Sequence, residues 1–296
     1  MMKAGFVSLV GLPNAGKSTL VNALIGEKVG IVSPKPQTTR KRVIGIYNEP
    51  NMQACFVDSP GYIEATTELN TFLREELKGI IKDGDMLIAV LNLDARKLED
   101  LVALADLASK SGKKWFALIT KMDMDKDLRS ERLRVELQKY NVPIVNVCAV
   151  RKAEKLREQV LPLVREMLPE SPAPLFNNDS YTTQNVRDLI AEIVREKCFE
   201  TLHQEVPYGV AVKVVKFDET GKLPRIHTEI LVSRESFVPM VLGAQGRRIK
   251  HIGTEARKEC ERIMGKKIYL ETHVKVKKDW TKNAQMMKEL GYVINE

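Results

Sequence analysis

Cysteine and histidine are scarce. The 296 residues hold four of each, and the cysteines (Cys55, Cys148, Cys198 and Cys260) lie far apart with no CxxC pair. That usage supports neither a disulfide framework nor a zinc site and reads as a reduced, intracellular chain. Long apolar runs are also missing. None approaches the roughly 18 residues that a membrane span needs. The run 6–10 follows Lys3 as the core of a signal peptide would, but it is short and leads into a glycine-bearing loop rather than a cleavage site. There is no internal repeat and no low-complexity tract. These absences leave the expectation of a cytosolic globular chain, with at most surface contact to a membrane.

The length is enough for two ordinary domains. A net charge of +8 suits a polyanionic partner, and its distribution is informative. The two halves are similar, but the stretch 243–282 holds 12 basic against 5 acidic residues, a net +7. Composition therefore places any nucleic-acid site there.

Over the first 168 residues, apolar runs at 6–10, 54–57, 86–91, 115–119 and 144–147 alternate with helical patterns at 18–25, 69–81 and 99–109. A further strand fits 43–47. This alternation predicts an α/β domain, a mostly parallel sheet with helices on both faces. Three prolines within 169–174 then break the pattern and predict a linker over 169–180. Beyond it the order becomes helix (183–203), strand (209–217), strand (225–233), short helix, helix (247–264) and strand (267–277), a smaller α+β domain over 181–282. Residues 283–296 read as a C-terminal tail.

Gly11-Leu12-Pro13-Asn14-Ala15-Gly16-Lys17-Ser18, followed by Thr19, matches GxxxxGK[ST] between a predicted strand and a predicted helix. Glycines let backbone N–H groups curl around phosphates at a helix N-terminus, which identifies a P-loop NTPase domain. Lys17 is expected to reach the β- and γ-phosphates, and Ser18 to ligate Mg²⁺. The choice of base comes from Thr120-Lys121-Met122-Asp123, directly after the strand 115–119. A carboxylate there accepts from guanine N1–H and the 2-amino group, and adenine offers no matching donors. The Lys121 stem is expected to lie along the base.

Asp58-Ser59-Pro60-Gly61 follows the strand 54–57, as an Asp on the Mg²⁺ side and a Gly sensing the γ-phosphate should. Gln37-Thr38-Thr39-Arg40 lies between that strand and the P-loop. A threonine there reaches Mg²⁺ only when the γ-phosphate is present, and Thr39 is preferred over Thr38. Cys148-Ala149-Val150 is expected to offer a backbone N–H to guanine O6. The catalytic set expected from these motifs is Lys17, Thr39, Asp58 and Gly61. No residue nearby offers an obvious general base, so hydrolysis must rest on positioning and on cations.

These residues resemble the Era GTPases within the P-loop GTPases, whose five elements read approximately GxPNxGKST, QTTR, DTPG, NKxD and SA. The chain keeps the first two and places Ser59, Thr120 and Cys148 where the family has Thr, Asn and Ser. Tyr62 stands where the resemblance implies a hydrophobic residue and where Ras-like enzymes carry a water-orienting Gln. Asn14 is similar to the Asn that ligates K⁺ in relatives.

In the second domain, Gly243-Ala244-Gln245-Gly246 forms a GxxG between two helical segments, and Arg247, Arg248, Ile249 and Lys250 follow at once. With the strand–strand–helix–helix–strand order this predicts a KH-like fold, in which a GxxG turn lets single-stranded RNA approach the backbone. Pro207-Tyr208, the run 249–257, Gly265-Lys266-Lys267 and the run 274–280 also resemble Era. Ala244 departs from the basic residue usual after the first Gly. The resemblance implies GTP/GDP and Mg²⁺ as ligands, the 3′ end of small-subunit (16S) ribosomal RNA and the 30S subunit as partners, and a role in maturing that subunit. A peripheral contact with the inner membrane also fits. Two other readings are open at this point: an RNA-binding scaffold that no longer turns GTP over, and a second domain that docks to protein or to a membrane surface.

Overall fold

The computed structural model describes residues 1–33, 35–62, 68–148 and 153–292. The expected contacts of Ala149 and Val150 lie outside them. Two compact units result, one from Met1–Gly30, 39–62 and 73–183, the other from 31–38, 68–72 and Gln184 onward.

The first unit is a sheet wrapped by helices. In chain order it comprises β1 (Met2–Gly11), α1 (Lys17–Ile25), β2 (Val43–Glu49), β3 (Met52–Asp58), α2 (Glu68–Asp83, residues 73–83 of which belong to this unit), β4 (Met86–Asn92), α3 (Leu98–Lys110), β5 (Lys114–Thr120), α4 (Arg129–Leu137), β6 (Ile144–Asn146), α5 (Ala153–Met167) and β7 (Glu170–Ser171). The strands lie in the order β2-β3-β1-β4-β5-β6, with β7 pairing antiparallel to β1. All other pairs are parallel except β2 with β3.

The continuous apolar strands have a physical cause, because both faces are covered. On β5, Phe116 and Leu118 join a core with Leu20 and Leu24 of α1 and Val160 of α5. Trp115, Ala117 and Ile119 point the other way, into a core with Leu104 of α3 and Leu133 of α4. The proline-rich stretch 169–180 runs along this unit. Gln53 accepts at its Oε1 from the Leu175 and Phe176 N–H groups at 2.7 and 2.9 Å.

β1 lies between β3 and β4, and the chain leaves its C-terminal end for α1. A strand flanked in this way marks the switch point of an open α/β sheet, where ligands bind beyond the strand ends. The loops after β1, β3 and β5 therefore all open on the same edge.

The second unit holds α6 (Val186–Thr201), β8 (Val210–Asp218), β9 (Arg225–Val232), α7 (Phe237–Leu242), α8 (Arg247–Met264), β10 (Tyr269–Val276) and α9 (Ala284–Glu289). Its sheet order is β10-β9-β8, with β8–β9 antiparallel and β9–β10 parallel. Asn185 caps α6, its side chain accepting from the Asp188 N–H at 2.8 Å. On α8, Ile252, Ala256 and Cys260 recur every fourth residue and are buried, which turns the basic face of the helix to solvent. α9 lies in the segment read from sequence as a tail. Asn283 caps it by accepting from the Met286 N–H.

Candidate nucleotide site and nucleic-acid interface

The loop after β1 closes through unusual backbone geometry. Asn14 and Gly16 have φ of 62° and 90°, so α1 starts at Lys17 with its first N–H groups facing the loop. Lys17 reaches back across it, its ammonium donating to the carbonyls of Gly11 (3.2 Å) and Leu12 (3.0 Å). Burial lowers its pKa to about 8, against the opposing pull of the Asp58 charge.

Three oxygens from three separate motifs converge beside it. Asp58 Oδ2 accepts from the Ser18 hydroxyl at 2.6 Å and from the Thr39 hydroxyl at 3.2 Å, and those two hydroxyls lie 2.9 Å apart. Burial raises the pKa of Asp58, while Lys17 and these hydroxyls pull the other way. Its second oxygen, Oδ1, is buried with no hydrogen-bond partner among the described residues. A small cluster of hard oxygens with one carboxylate oxygen still open fits Mg²⁺, which binds through one or two carboxylates and leaves its other positions for further oxygens, water and phosphate.

Thr38 and Thr39 part ways. Within the second unit, the Thr38 hydroxyl donates to the Lys35 carbonyl at 2.7 Å, and the Thr38 carbonyl accepts from the buried Arg195 guanidinium at 2.5 Å. The Val32 N–H is held by Glu196 at 2.9 Å, and the Lys35 ammonium donates to the carbonyls of Phe199 and Leu202. None of these anchors was expected from the sequence, since they come from a helix some 160 residues further on.

After β3, the Ser59 hydroxyl donates to the Leu9 carbonyl at 2.5 Å, which braces this loop against β1. Gly61 packs so closely on the P-loop that a β-carbon there would lie 2.5 Å from the Pro13 nitrogen. The next N–H, of Tyr62, donates to the Gly11 carbonyl at 3.0 Å, and the ring is exposed. Pro60 lies between Ser59 and Gly61 in irregular backbone.

The loop expected from the sequence to read the base follows β5. The Thr120 hydroxyl donates to the Ala15 carbonyl at 3.0 Å, so this residue ties the loop to the P-loop. Asp123 is exposed, and the Cys148 thiol sits 3.3 Å from its Oδ1 as a donor. The Lys121 ammonium pairs with Asp94 at 2.6 Å, a partner the sequence reading did not pick out.

In the second unit, the turn between α7 and α8 needs its glycines. Gly243 and Gly246 have φ of 69° and 71°, and Gln245 between them has 50°. Ala244, Gln245, Arg247, Arg248 and Lys250 are exposed around it, while Ile249 is half-buried. Arg248 folds back to donate to the Met240 carbonyl. The turn thus offers bare backbone rimmed by cations.

A P-loop, an Mg²⁺-type oxygen cluster and a guanine-type carboxylate on a switch-point sheet define a nucleotide-binding GTPase domain, joined here to a KH domain. Family models agree: residues 6–121 match the 50S ribosome-binding GTPase family and residues 205–281 the KH domain. The chain is 36% identical over 293 residues to GTPase Era of Geobacter metallireducens, covering 98% of each. It is 38% identical over 299 residues to GTPase Era of Syntrophus aciditrophicus, covering 99% of this chain and 96% of the other. Among solved structures, a tyrosine-to-alanine variant of Aquifex aeolicus Era bound to GDP·AlF4⁻ superposes with a TM-score of 0.91 at 35% identity, over 99% of this chain and 100% of that one. Era in complex with MgGDPNP and nucleotides 1506–1542 of 16S ribosomal RNA gives 0.89 at 34%, with the same coverage. The chain belongs to the Era family of GTPases.

Proposed function

We propose that this GTPase uses its nucleotide state to govern binding of the 3′ end of small-subunit (16S) ribosomal RNA through its KH domain, and so assists maturation of the 30S subunit. The observation that carries the reading is the full-length likeness to an Era that holds MgGDPNP and 16S nucleotides together. The bare, cation-rimmed turn at Gly243–Gly246 supports it. We place the protein in the cytoplasm, with its basic stretch 243–282 available for peripheral contact with anionic lipid at the inner membrane.

In this reading the P-loop N–H groups from Asn14 to Ser18 cradle the phosphates, and Lys17 leaves its carbonyl partners for the β- and γ-oxygens. Ser18, Thr39 and Asp58 would hold Mg²⁺, which draws charge from those phosphates. Thr39 and the Gly61 N–H sense the γ-phosphate. Asp123 reads the base, and Thr120, Cys148 and Ser59 brace the loops around it. Tyr62 stands where a water-orienting Gln would sit and carries no side-chain amide, so turnover rests on positioning and electrostatics.

RNA captured by the full-length protein and then sequenced tests the proposal. Small-subunit 3′-end fragments should be enriched with the GTP-analogue form over the GDP form. Equal enrichment in both forms would remove the switch, and absence of these fragments would remove the partner.

Cations enter the second test. If Asn14 ligates K⁺, exchanging K⁺ for Na⁺ should lower turnover from an intrinsic rate on the order of 10⁻⁴–10⁻² s⁻¹. Asn14→Ala should erase that difference. A rate that ignores the exchange refutes the K⁺ site and leaves the GTPase assignment standing.

A further inference from the structure

Behind the base-reading loop lies a polar pair that the nucleotide motifs do not use. Asn92 ends β4, and in the sheet register it stands opposite Thr120 at the end of β5. Its amide nitrogen donates to Asp94 Oδ1 at 2.6 Å, while Asp94 Oδ2 receives the Lys121 ammonium at 2.6 Å. The backbone follows the same route. The Leu93 N–H donates to the Thr120 carbonyl at 3.2 Å, and the Ala95 N–H to the Asn92 carbonyl at 3.1 Å. Residues 92–95 are therefore fastened to the strand end from which Lys121 springs.

Asn92 is buried, and its Oδ1 has no hydrogen-bond partner among the described residues. A half-satisfied buried amide works against stability, and such local conflicts gather at functional sites. Burial works to raise the pKa of Asp94, but the bonds from Asn92 and Lys121 outweigh it and hold the carboxyl below the usual carboxylate range. Asp94 is thus an ionised anchor. Lys121 has a φ of 59°, a left-handed conformation that sets the direction in which its side chain leaves the loop. With the ammonium fixed as well, both ends of a four-carbon stem are held. Thr120 cannot take over this task, since its hydroxyl is committed to Ala15.

We propose that Asp94, braced by Asn92, is a positioning residue for guanine binding: it anchors the Lys121 ammonium so that the stem forms a fixed platform along one face of the base. The proposal rests on the reading of Lys121 and Asp123 as the base-binding residues. Its action falls on the nucleoside and not on the phosphates, so GTP and GDP should respond alike.

Stopped-flow release of fluorescent GDP and of a fluorescent GTP analogue from the full-length protein provides the test. Asp94→Asn should speed both by the same factor, about tenfold. The KM for GTP should rise while kcat holds, the melting temperature of the nucleotide-free protein should change little, and Asp94→Glu should recover part of the loss. In a Lys121→Met background, Asp94→Asn should add nothing, because the anchor then has no load. Unchanged release rates, a GDP-only effect, or losses that multiply in the double variant would each overturn the role of Asp94. Asp123→Asn measured alongside separates the two levels. If it too leaves guanine binding intact, the base-site reading fails; if it weakens binding while Asp94→Asn does not, only the anchor does.

Discussion

Asp123→Asn is expected to weaken GTP binding by at least about 2 kcal/mol, the cost of leaving a buried polar group facing the wrong partner. The carboxylate presents two acceptors to guanine, one for N1–H and one for the 2-amino group. An amide turns one acceptor into a donor, so a guanine donor then meets another donor. The surrounding geometry makes the effect specific to recognition. Asp123 is exposed in this structure and accepts from the Cys148 thiol at 3.3 Å, so the substitution breaks no core contact. Xanthine carries a carbonyl in place of the 2-amino group and can accept from the new amide, so XTP should partly recover the loss. Calorimetric titration of parent and variant with GTP, ATP and XTP measures all three. Equal affinity of the parent for GTP and ATP would sink the assignment of Asp123.

Much of the first unit was legible because phosphate chemistry demands fixed residue types at fixed spacing. A loop that wraps phosphate needs Gly11 and Gly16, a hydroxyl beside the metal needs Ser18 directly after Lys17, and a strand buried on both faces reads as an unbroken apolar run. The convergence of Ser18, Thr39 and Asp58 followed from the same logic. What stayed hidden was whatever depends on register between distant segments. Asp94 looks like any surface acid until the β4–β5 pairing sets it beside Lys121. Arg195 reads as one more charge on a helix, yet its side chain is 1% exposed and donates to Thr38. α9 escaped notice for a different reason. It is six residues long, too short for periodicity to register, and its start depends on a single capping bond from Asn283. The prolines at 169–174 read as a linker, but proline content says nothing of what such a segment lies against: residues 170–171 form β7 on β1, and the backbone at 175–176 donates to Gln53.

Gly246→Asp is expected to lower affinity for a single-stranded small-subunit 3′-end oligonucleotide by about tenfold or more, ~1.4 kcal/mol. Nucleic-acid backbone can approach this turn only if no side chain intervenes, and Asp adds both bulk and a negative charge toward phosphates. The position suits the experiment better than its neighbour. A β-carbon on Gly243 would lie 2.7 Å from the Arg248 β-carbon, so substitution there disturbs packing. At Gly246 the nearest atom is Ile249 Cγ2 at 4.0 Å, and the remaining cost is a left-handed φ of 71° that Asp tolerates better than most residues. Arg248→Ala should give a smaller loss and a salt slope shallower by about one, the mark of one missing phosphate contact. GTP affinity of Gly246→Asp should stay near that of the parent, because the turn contributes no group to the P-loop, the Mg²⁺-type cluster or the base site. Filter binding beside a nucleotide titration reads both halves. A variant that holds the oligonucleotide as tightly as the parent would show that RNA does not pass over the Gly243–Gly246 turn; a joint collapse of GTP affinity would show that the turn and the nucleotide site are energetically coupled.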